Sequence, residues 1–544
     1  MNECSPSRWA VIDMGSNGIR FSITELGTQA RILPLLFQER LAISLYDVQH
    51  KAQPCTVKIP IPEETIREII NSIHRFLTIC KDFQVTDYGA VATEATRQAM
   101  NSQSFLEEIY NATKVQFELL SKEEEARLGA EGIASSMFTV SGIAVDLGGG
   151  SVQINRISSE FGVVTTSGIP MSLPYGAAAL SLALSSSPDT EAARRDLSAQ
   201  VSSSFKTALF GDHASEDTFS STQPNIETDL YLTGGGMRGF GRIHRSEYLS
   251  DSPHRFPMIN GYCTTPDALL HTVDKVLTQK KAKGLSKIPG VSKRRVLQLP
   301  AITLVLQSLF AVLPPIRRVY FCQGGIREGF LFARLPIGIK TMDPLIVATE
   351  IYKPRDASKI LCLLKNSIPD STFVPPCPIL VRNRITAALV NMSTLFSTYP
   401  KETCAAAASQ SPITGCLSNS HGLTHEERLL LAVALSWRYG DDNLSFDLQR
   451  ETQKVVNCSV SLDWCGYIGR ICKAILTIFP SGVVEDNLLA FRSIDTQNSS
   501  FTLVASLENN PMMTSSSVGT KAFQEIVSKH SSSVSFHVKL ENRL

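Results

Sequence analysis

Two segments of the chain pair an aspartate with a glycine-rich turn, which is an arrangement suited to binding phosphate. Asp13 lies just before the first turn and Asp146 just before the second. Glycines let backbone N–H groups converge on an anion, and carboxylates hold divalent cations together with phosphate oxygens and water. We therefore expect Asp13 and Asp146 on the metal side of a phosphate site. The candidate phosphate-binding residues are Gly15, Ser16, Asn17, Gly148, Gly149, Gly150 and Ser151. A lone glycine turn usually only reverses the chain, but two in matching context favour a site.

A third acidic candidate lies in the segment that begins at Ser121. Ser121 and Glu124 have the spacing of a capping box, which predicts the start of a helix. The simplest interpretation is that Glu123, Glu124 and Glu125 complement the positive end of the helix dipole. Glu125, about 100° further round the helix than Glu124, can instead point into a cleft as general base for an attacking water. The sequence alone leaves both interpretations open.

Arginines matter because a planar guanidinium binds phosphate oxygens in pairs. Arg20 follows the first turn within its strand, and Arg97 lies where a strand passes into a helix. Either residue could face a ligand or the solvent. A further basic cluster is interpreted as a solvated helix face, with a polyanion site as the alternative. It comprises Lys280, Lys281, Lys283, Lys287, Lys293, Arg294 and Arg295.

The elements that must position these residues follow a repeated pattern of strand, turn and strand. Apolar runs on both sides of the first turn predict strands at Trp9–Asp13 and Gly18–Thr24. The second turn is flanked in the same way, by Ile143–Val145 and Val152–Ile154. Two more glycine turns are expected after apolar strands, at 234–236 and 324–325. Apolar residues at helical spacing predict a helix over Ile61–Asp82.

The two aspartate turns lie about one domain length apart, which predicts two similar α/β domains facing each other. We assign residues 1–138 to the first domain and 139–338 to the second. Residues 339–544 form a third, helical and then α+β domain. In it we expect loops at 367–378 and 399–422, helices at 424–439, 464–478 and 521–529, and strands at 501–507 and 534–540. Residues 185–229 are expected to hold a helix flanked by loop.

Composition excludes several classes of protein. The 544 residues carry 52 basic and 51 acidic side chains, a formal net charge of +1, which argues against a dedicated nucleic-acid or membrane-surface binder. The most apolar stretch, 297–316, is broken by polar residues and prolines, so no membrane span is expected. The twelve cysteines show no metal-ligand spacing. Cys80, Cys322, Cys362 and Cys472 lie in apolar settings and are expected to be buried thiols, which favours a cytoplasmic location.

Six ordered motifs resemble the exopolyphosphatase/guanosine-pentaphosphate phosphohydrolase (Ppx/GppA) family, over residues 8–335. The motifs read AVIDMGSNGIRFSI, VATEATRQAMNS, LLSKEEEARLGAEGI, AVDLGGGSVQI, YLTGGG and CQGGIREGFL. The resemblance implies two domains of the actin–Hsp70–sugar-kinase, ribonuclease H-like fold around a cleft that binds polyphosphate or a polyphosphorylated nucleotide with Mg²⁺. It implies Glu125 as the catalytic glutamate, Asp13 and Asp146 as metal-side carboxylates, and Arg20 and Arg97 as phosphate-binding residues.

The sequence departs from the family pattern at two places. The family typically carries a glutamate two residues after the second turn, and this chain has Gln153 there. Glutamine keeps the shape of glutamate but has no negative charge and accepts no proton at neutral pH. Some bacterial relatives end in a helical domain with an adjacent His-Asp pair, where this chain shows Trp437 and Arg438. We therefore expect this region to bind no metal and to serve a structural or protein-binding role.

Three functions remain open after these departures, and the third is a scaffold whose cleft is vestigial. In the first, the cleft senses a phosphorylated ligand with little or no hydrolysis and regulates a protein partner through the C-terminal domain. The chain also resembles fungal members of the family that carry an additional C-terminal region. This resemblance implies a role in signalling from mitochondria to nuclear transcription. In the second, the chain is an active phosphoanhydride hydrolase. Binding to nucleic acid or membrane is not expected, and the sequence leaves homodimer formation open.

Overall fold

The computed structural model describes residues 7–50, 58–160, 162–186, 191–210, 228–248, 256–278, 284–369, 375–440, 446–456, 459–496, 500–508 and 535–543. The chain divides into two compact units, Met1–Ser250 with Ile259–Met342, and Asp251–Met258 with Asp343–Leu544. The first unit contains two mixed β-sheets, and the second contains a group of helices and a small sheet. No helix among the described residues is both long and apolar enough to cross a lipid bilayer.

The first sheet and its helices form the part that we call lobe I, residues 7–119. Its strands are β1 (Ser7–Gly15), β2 (Gly18–Leu26), β3 (Leu35–Leu41), β4 (Asp87–Ala92) and β5 (Glu118–Leu119). Its helices are α1 (Leu45–Gln49), α2 (Glu63–Asp82), α3 (Glu94–Arg97) and α4 (Ser102–Thr113), with a 3-10 turn at Ala30–Ile32. Helix α2 forms where predicted because Ile66, Ile69, Ile73 and Phe76 recur at helical spacing and bury one face.

Helix α5 (Lys122–Ser135) leads from lobe I to the second sheet. We call the second sheet and its helices lobe II, residues 141–342. Its strands are β6 (Ser141–Leu147), β7 (Val152–Glu160), β8 (Val163–Leu173), β9 (Thr228–Thr233), β10 (Tyr262–Thr264) and β11 (Ile316–Phe321). Its helices are α6 (Ala177–Ser186), α7 (Glu191–Phe210), α8 (Gly234–Tyr248), α9 (Pro266–Thr278), α10 (Lys293–Leu297), α11 (Leu299–Phe310), α12 (Ile326–Arg334) and α13 (Ile337–Lys340), with a 3-10 turn at Leu285–Lys287.

The two lobes repeat one strand order. Lobe I has the order β3-β2-β1-β4-β5, and lobe II has β8-β7-β6-β9-β11 with β10 added at the edge. In each lobe the first three strands are antiparallel and the next two run parallel to the first strand. The predicted pair of similar α/β domains is therefore confirmed. In both sheets the first hairpin places its turn at the same end of the lobe, where the carboxyl ends of the parallel strands also lie.

The second unit packs helices beside a three-stranded sheet. Its helices are α14 (Pro344–Glu350), α15 (Ala357–Asn366), α16 (Thr386–Asn391), α17 (Lys401–Gln410), α18 (His425–Tyr439), α19 (Phe446–Val455) and α20 (Ser459–Ile478), with a π-helical turn at Leu380–Ile385. Its strands are β12 (Leu489–Thr496), β13 (Ser500–Glu508) and β14 (Ser535–Arg543), in that spatial order. Thr424 caps α18 through a capping box with Glu427, as the sequence predicts for this helix start.

Three sequence predictions about local structure are wrong. The expected loop at 399–422 contains helix α17, because its alanine run is a strong helix former after the proline at its start. Gly234–Gly236 do not form a turn between strands but begin helix α8. Cys362, expected to be buried, is exposed, whereas Cys322 and Cys472 are buried free thiols and Cys80 is partly buried. The predicted helix at 521–529 and much of 185–229 lie outside the described residues.

Candidate functional site

A cleft with about 680 Å³ of empty space, part of it open to solvent, lies between lobes I and II. Both aspartate turns, Glu125 and three arginines contribute to its walls. The lining residues are Asp13, Gly15, Ser16, Asn17, Gly18, Arg20, Thr93, Glu125, Asp146, Leu147, Gly148, Gly149, Ser151, Gln153, Thr233, Gly234, Gly235, Arg238, Arg295, Gly325 and Ile326. The structure therefore brings most of the predicted site residues together, and their chemical roles stay predictions.

The hairpin of lobe I supplies Asp13 and Arg20 from directly opposite positions on β1 and β2. The Asp13 carboxylate is buried, and its Oδ2 lies 3.6 Å from Nη1 of Arg20. Burial raises the pKa of Asp13, and the positive charge of Arg20 opposes that rise. The first aspartate thus has a cation beside it even without a ligand.

The hairpin of lobe II supplies Asp146 and Gln153, again from directly opposite positions. Burial raises the pKa of Asp146, and the positive charge of Arg238 makes the largest opposing contribution. Within the described part of the chain, no Lys or Arg nitrogen lies within 4 Å of the Asp146 carboxylate. The negative charge of Asp146 therefore has no cation among the described residues as close as the one beside Asp13, although both carboxylates line the same cleft.

The second turn is held by the helix that follows β8. The carbonyl oxygens of Gly148 and Gly149 accept hydrogen bonds from the N–H groups of Ala177 and Ala178 in the first turn of α6. The N–H group of Gly149 makes no hydrogen bond to any residue that the structure describes. The turn therefore points carbonyls at the helix and keeps an amide donor for an anion, as the glycine pattern predicts.

Glu125 is fixed on the first turn of α5. The predicted capping box between Ser121 and Glu124 is present, and it leaves Glu125 buried and facing the cleft. Nη2 of Arg97 donates to Glu125 Oε2 at 3.0 Å, and Nε2 of Gln153 lies 3.3 Å from Oε1. Burial raises the pKa of Glu125 to about 7, against the lowering effect of Arg97. A carboxylate with this pKa is suited to accept a proton at neutral pH.

Two further arginines line the cleft, of which the sequence analysis missed Arg238 and assigned Arg295 to a solvated face with a polyanion site as the alternative. Arg238 lies in the first turns of α8, two residues after the last of the glycines that were expected to form a turn. Arg295 belongs to α10, and its assignment to a solvated face is wrong. Burial, followed by the charge of Arg20, lowers the pKa of Arg238 to about 10 and that of Arg295 to about 9. The capping serine before α10, Ser292, was the available signal that the basic cluster begins a short helix.

The other members of the basic cluster differ in their settings. Arg294 points towards lobe I, where its Nη2 contacts Asn17, Ser44 and Asp47, so the prediction of a solvated face is also wrong for this residue. Lys287 and Lys293 are exposed, as predicted. Lys280, Lys281 and Lys283 lie outside the described residues.

Two predicted phosphate-binding residues lie beside the cleft and not in its lining. Arg97 donates to Glu125 and to the carbonyl oxygen of Leu120, so it positions the carboxylate. Gly150 packs against Glu94 of lobe I, and an added Cβ would lie 1.9 Å from Glu94 Oε2. Glycine is required at 150 for close approach of the two lobes.

The cleft offers two carboxylates to a divalent cation, not a complete set of ligands. No group of three His, Cys, Asp or Glu side chains close enough to hold a metal occurs among the described residues. After burial, the negative charge of Asp13 also raises the pKa of Asp146, as expected for two carboxylates in one cavity. This donor set fits Mg²⁺ only if phosphate oxygens and water complete the shell, which is the usual way that Mg²⁺ is bound with phosphates.

The position of the family's His-Asp pair lies on α18 in the second unit. The guanidinium of Arg470 lies 4.7 Å from the centre of the Trp437 ring, and that of Arg438 lies 4.6 Å from the Tyr439 ring. These are cation–π contacts that stabilise packing and provide no metal ligand. The prediction that this region binds no metal remains a prediction.

Comparisons with known proteins agree with the two-unit organisation. The Ppx/GppA phosphatase family model matches residues 22–204 and 214–337, and the RTG2 C-terminal domain model matches residues 343–527. Retrograde regulation protein 2 of Saccharomyces cerevisiae is 36% identical over 88% of this chain and 82% of its own length. Exopolyphosphatase 1 of Mycobacterium bovis is 24% identical over 60% of this chain and 88% of its own length.

Among solved structures, the Ppx/GppA family member of Aquifex aeolicus is similar, with a TM-score of 0.48 and 20% identity over 60% of this chain and 97% of its own. The family model covers more than half of the residues, and the yeast relative is matched over most of both chains. The chain therefore belongs to the Ppx/GppA phosphatase family, and it combines the two lobes matched by the family model with an RTG2 C-terminal domain.

Proposed function

We propose that the cleft binds polyphosphate or a polyphosphorylated nucleotide together with Mg²⁺, and that this binding serves regulation more than rapid hydrolysis. One observation carries the proposal. Arg20, Arg238 and Arg295 line the same cavity as the Gly149 amide, and each keeps guanidinium N–H groups that make no hydrogen bond to any described residue. Guanidinium groups and glycine amides with unused donors favour phosphate oxygens as ligands.

Slow hydrolysis is expected because of the neighbour that Glu125 has at position 153. In the family's reaction, water attacks the terminal phosphorus, a base takes the water proton, and the bridging P–O bond breaks to release the shortened chain. Glu125 is the base in this proposal. The Gln153 amide contacts its Oε1 and stabilises the ionised form, and it supplies no second carboxylate. The loss of one preorganised group of this kind typically costs about 10²–10³ in rate.

Asp13 and Asp146 would hold the Mg²⁺ ion, which neutralises phosphate charge when bound. The two aspartates lie on opposite lobes, so a cation held by both would also favour the closed arrangement of the cleft. Since we assign two carboxylates among the described residues to the cation, we expect Mg²⁺ to bind weakly alone and more tightly together with the phosphate ligand.

The regulatory part of the proposal depends on the second unit. The yeast relative that covers both units is named for retrograde regulation, and the relative named as an exopolyphosphatase matches 60% of the chain. We propose that this chain likewise acts in mitochondria-to-nucleus signalling from the cytoplasm, with the second unit as the surface for a protein partner. Small-angle scattering of the full chain with and without ligand would test whether binding changes its conformation.

The binding part is tested by calorimetric titration of the full chain with tripolyphosphate, with and without Mg²⁺. We expect saturable binding that Arg295→Gln weakens about tenfold or more, since a hydrogen bond to a charged group contributes about 1.5–3 kcal/mol. Arg67→Gln, which removes an exposed charge on α2 outside the cleft, is the matched control. Absence of binding below millimolar ligand in the unmodified chain would contradict the proposal.

A second candidate function is efficient hydrolysis of the same ligands. It is favoured by Glu125, whose burial and pKa of about 7 are those of a general base that works at neutral pH. Phosphate release from polyphosphate by the unmodified chain, at a rate typical of metabolic enzymes, would favour this function over sensing.

A further inference from the structure

Two arginines beside the cleft have no role in the site described so far. Arg40 and Arg294 do not line the cavity, but both contact Asn17, the tip of the first glycine turn. Arg40 belongs to β3 of lobe I, and Arg294 belongs to α10 of lobe II. The two lobes thus each place one more arginine at the same edge of the cleft.

Arg40 lies directly opposite Arg20 on the neighbouring strand. Like charges at opposite positions of a sheet are normally destabilising, so the pair calls for a compensating anion. Nη2 of Arg40 donates to the carbonyl oxygen of Asn17 at 3.0 Å, and no carboxylate among the described residues lies within 4 Å of its guanidinium. Arg40 is exposed, and its remaining N–H groups are available to a ligand.

Arg294 reaches the same turn from the opposite lobe. Its Nη2 donates to Asn17 Oδ1 at 2.6 Å and to Ser44 Oγ at 2.8 Å, and it lies 3.0 Å from Asp47 Oδ2. These contacts use only Nη2, so Nε and Nη1 make no hydrogen bond within the described part of the chain. Asp47 is half-exposed, so water screens its attraction for Arg294.

The two residues extend a continuous positive surface that begins inside the cleft. The charges of Arg20, Arg238, Arg40 and Arg294 all contribute to lowering the pKa of Arg295, after the larger effect of its burial. Five guanidinium groups therefore lie near one another. Only two of them, Arg20 and Arg294, have a carboxylate within 4 Å among the described residues.

We propose that Arg40 and Arg294 form an outer phosphate subsite at the edge of the cleft. It would hold phosphate groups beyond those bound inside, so the preferred ligand is one whose phosphates extend past the cavity. This ligand is a long linear polyphosphate or a nucleotide that carries a second phosphate group apart from its 5′ chain. The proposal rests on the proposed function, because the outer subsite has a role only if the cleft binds phosphate.

A comparison of short and long ligands tests the subsite. We expect the unmodified chain to bind long polyphosphate more tightly than tripolyphosphate at equal concentration of chains. The Arg40→Gln and Arg294→Gln variants should each lose about tenfold in affinity for the long chain and keep their affinity for tripolyphosphate. Arg67→Gln is the control for loss of one positive charge, and Arg295→Gln should weaken both ligands.

Asp47→Asn separates a phosphate subsite from a simple contact between the lobes. If Arg294 binds phosphate, removal of its acidic partner frees the guanidinium, and affinity for long polyphosphate should rise. If Arg294 only links the lobes through Asp47, Asp47→Asn should behave like Arg294→Gln. The second result would overturn the proposal, and it can be read even if Arg294→Gln disturbs folding.

Further titrations show whether the preferred ligand is polyphosphate or a nucleotide. They also distinguish failure of the outer subsite from failure of the proposed function. A comparison of the affinities for GTP and guanosine pentaphosphate repeats the test with a nucleotide. The subsite is supported if Arg40→Gln weakens binding of the extended ligand in either pair, long polyphosphate or guanosine pentaphosphate. Tripolyphosphate binding with no preference for any extended ligand would overturn the outer subsite and leave the proposed function intact. If no phosphate compound binds at all, the proposed function fails and the subsite with it.

Discussion

The two lobes build the same hairpin and place different side chains at its matching positions. In lobe I, Asp13 faces Arg20 across the strands, and in lobe II, Asp146 faces Gln153. The backbone pairing of strand, turn and strand is otherwise alike, although the first turn is closed at Gly15 and Gly18 and the second spans four residues. The repeated backbone therefore fixes where the aspartates lie, and the residue opposite each one decides its electrostatic environment.

Under the proposed function, this difference assigns separate tasks to the lobes. Arg20 compensates Asp13 and offers donors to a ligand, so lobe I is a binding surface. Gln153 of lobe II contacts Glu125 of the connecting helix and gives Asp146 no charged neighbour across the hairpin, so lobe II positions the base and carries the aspartate with no cation beside it among the described residues. Substitutions in one lobe can then change ligand affinity without changing the hydrolysis rate, and the reverse. The proposed combination of ligand binding with slow hydrolysis requires such independence.

The largest expected effect comes from Glu125, which lies on the connecting helix and has no counterpart in the repeat. Glu125→Gln keeps the size of the side chain and removes the proton acceptor, so hydrolysis of polyphosphate should fall about 10²–10⁴-fold while binding persists. Phosphate release and calorimetry measure the two separately. Glu123→Gln, exposed on the same helix, is the matched control. Equal rates for Glu125→Gln and the unmodified chain would remove Glu125 from the reaction.

The second prediction changes the position at which lobe II departs from the family pattern. Gln153→Glu restores a carboxylate beside Glu125, and we expect hydrolysis to accelerate about 10²-fold, the lower end of what one preorganised group supplies. Affinity for the anionic ligand should fall, because one more negative charge faces it. Gln153→Met removes the amide without adding a carboxylate, and should give no gain. A gain with methionine would show that release of Glu125 from the amide, not the new carboxylate, is responsible.

The third prediction makes lobe I resemble lobe II. Arg20→Gln leaves Asp13 opposite a neutral amide, as Asp146 is, and removes a guanidinium from the cleft. Affinity for tripolyphosphate should fall about tenfold or more, with a weaker dependence on salt concentration. Arg67→Gln again controls for net charge. An unchanged salt dependence in Arg20→Gln would mean that Arg20 makes no contact with the ligand.

Much of this comparison could be predicted from the sequence, because the two aspartate turns and their flanking strands are local patterns. The capping box at Ser121 predicted the start of α5 for the same reason, and it left the direction of the Glu125 side chain open. Arg238 was missed and Arg295 was assigned to a solvated face because only the tertiary structure brings these two residues to the cleft. Glycines that looked like a turn begin a helix, and a basic cluster that looked solvated turns one residue inwards. Sequence periodicity reports which face of an element is apolar, and it carries no information about which polar face meets a cavity.

Arg97 is a further example of a contact that sequence patterns do not predict. Its motif predicted a phosphate contact, whereas its guanidinium donates to Glu125 Oε2 and to a backbone carbonyl outside the cavity. The sequence places Arg97 and Glu125 on separate elements with no periodic relation between them. Only the packing of α5 beside α3 joins them into a pair, so the role of Arg97 as a positioning residue could not be predicted.

The smallest expected effect concerns this pair and tests whether lobe I controls the base. Arg97 lowers the pKa of Glu125 against the effect of burial, so Arg97→Gln should raise that pKa above its value of about 7. The base acts only when ionised, and hydrolysis should therefore require a higher pH by about one unit. Carbon-13 NMR of labelled glutamate reads the same pKa without relying on activity. Arg127→Gln, exposed on α5, is the control, and a Glu125 pKa that moved equally in both variants would indicate a general charge effect instead of a specific pair.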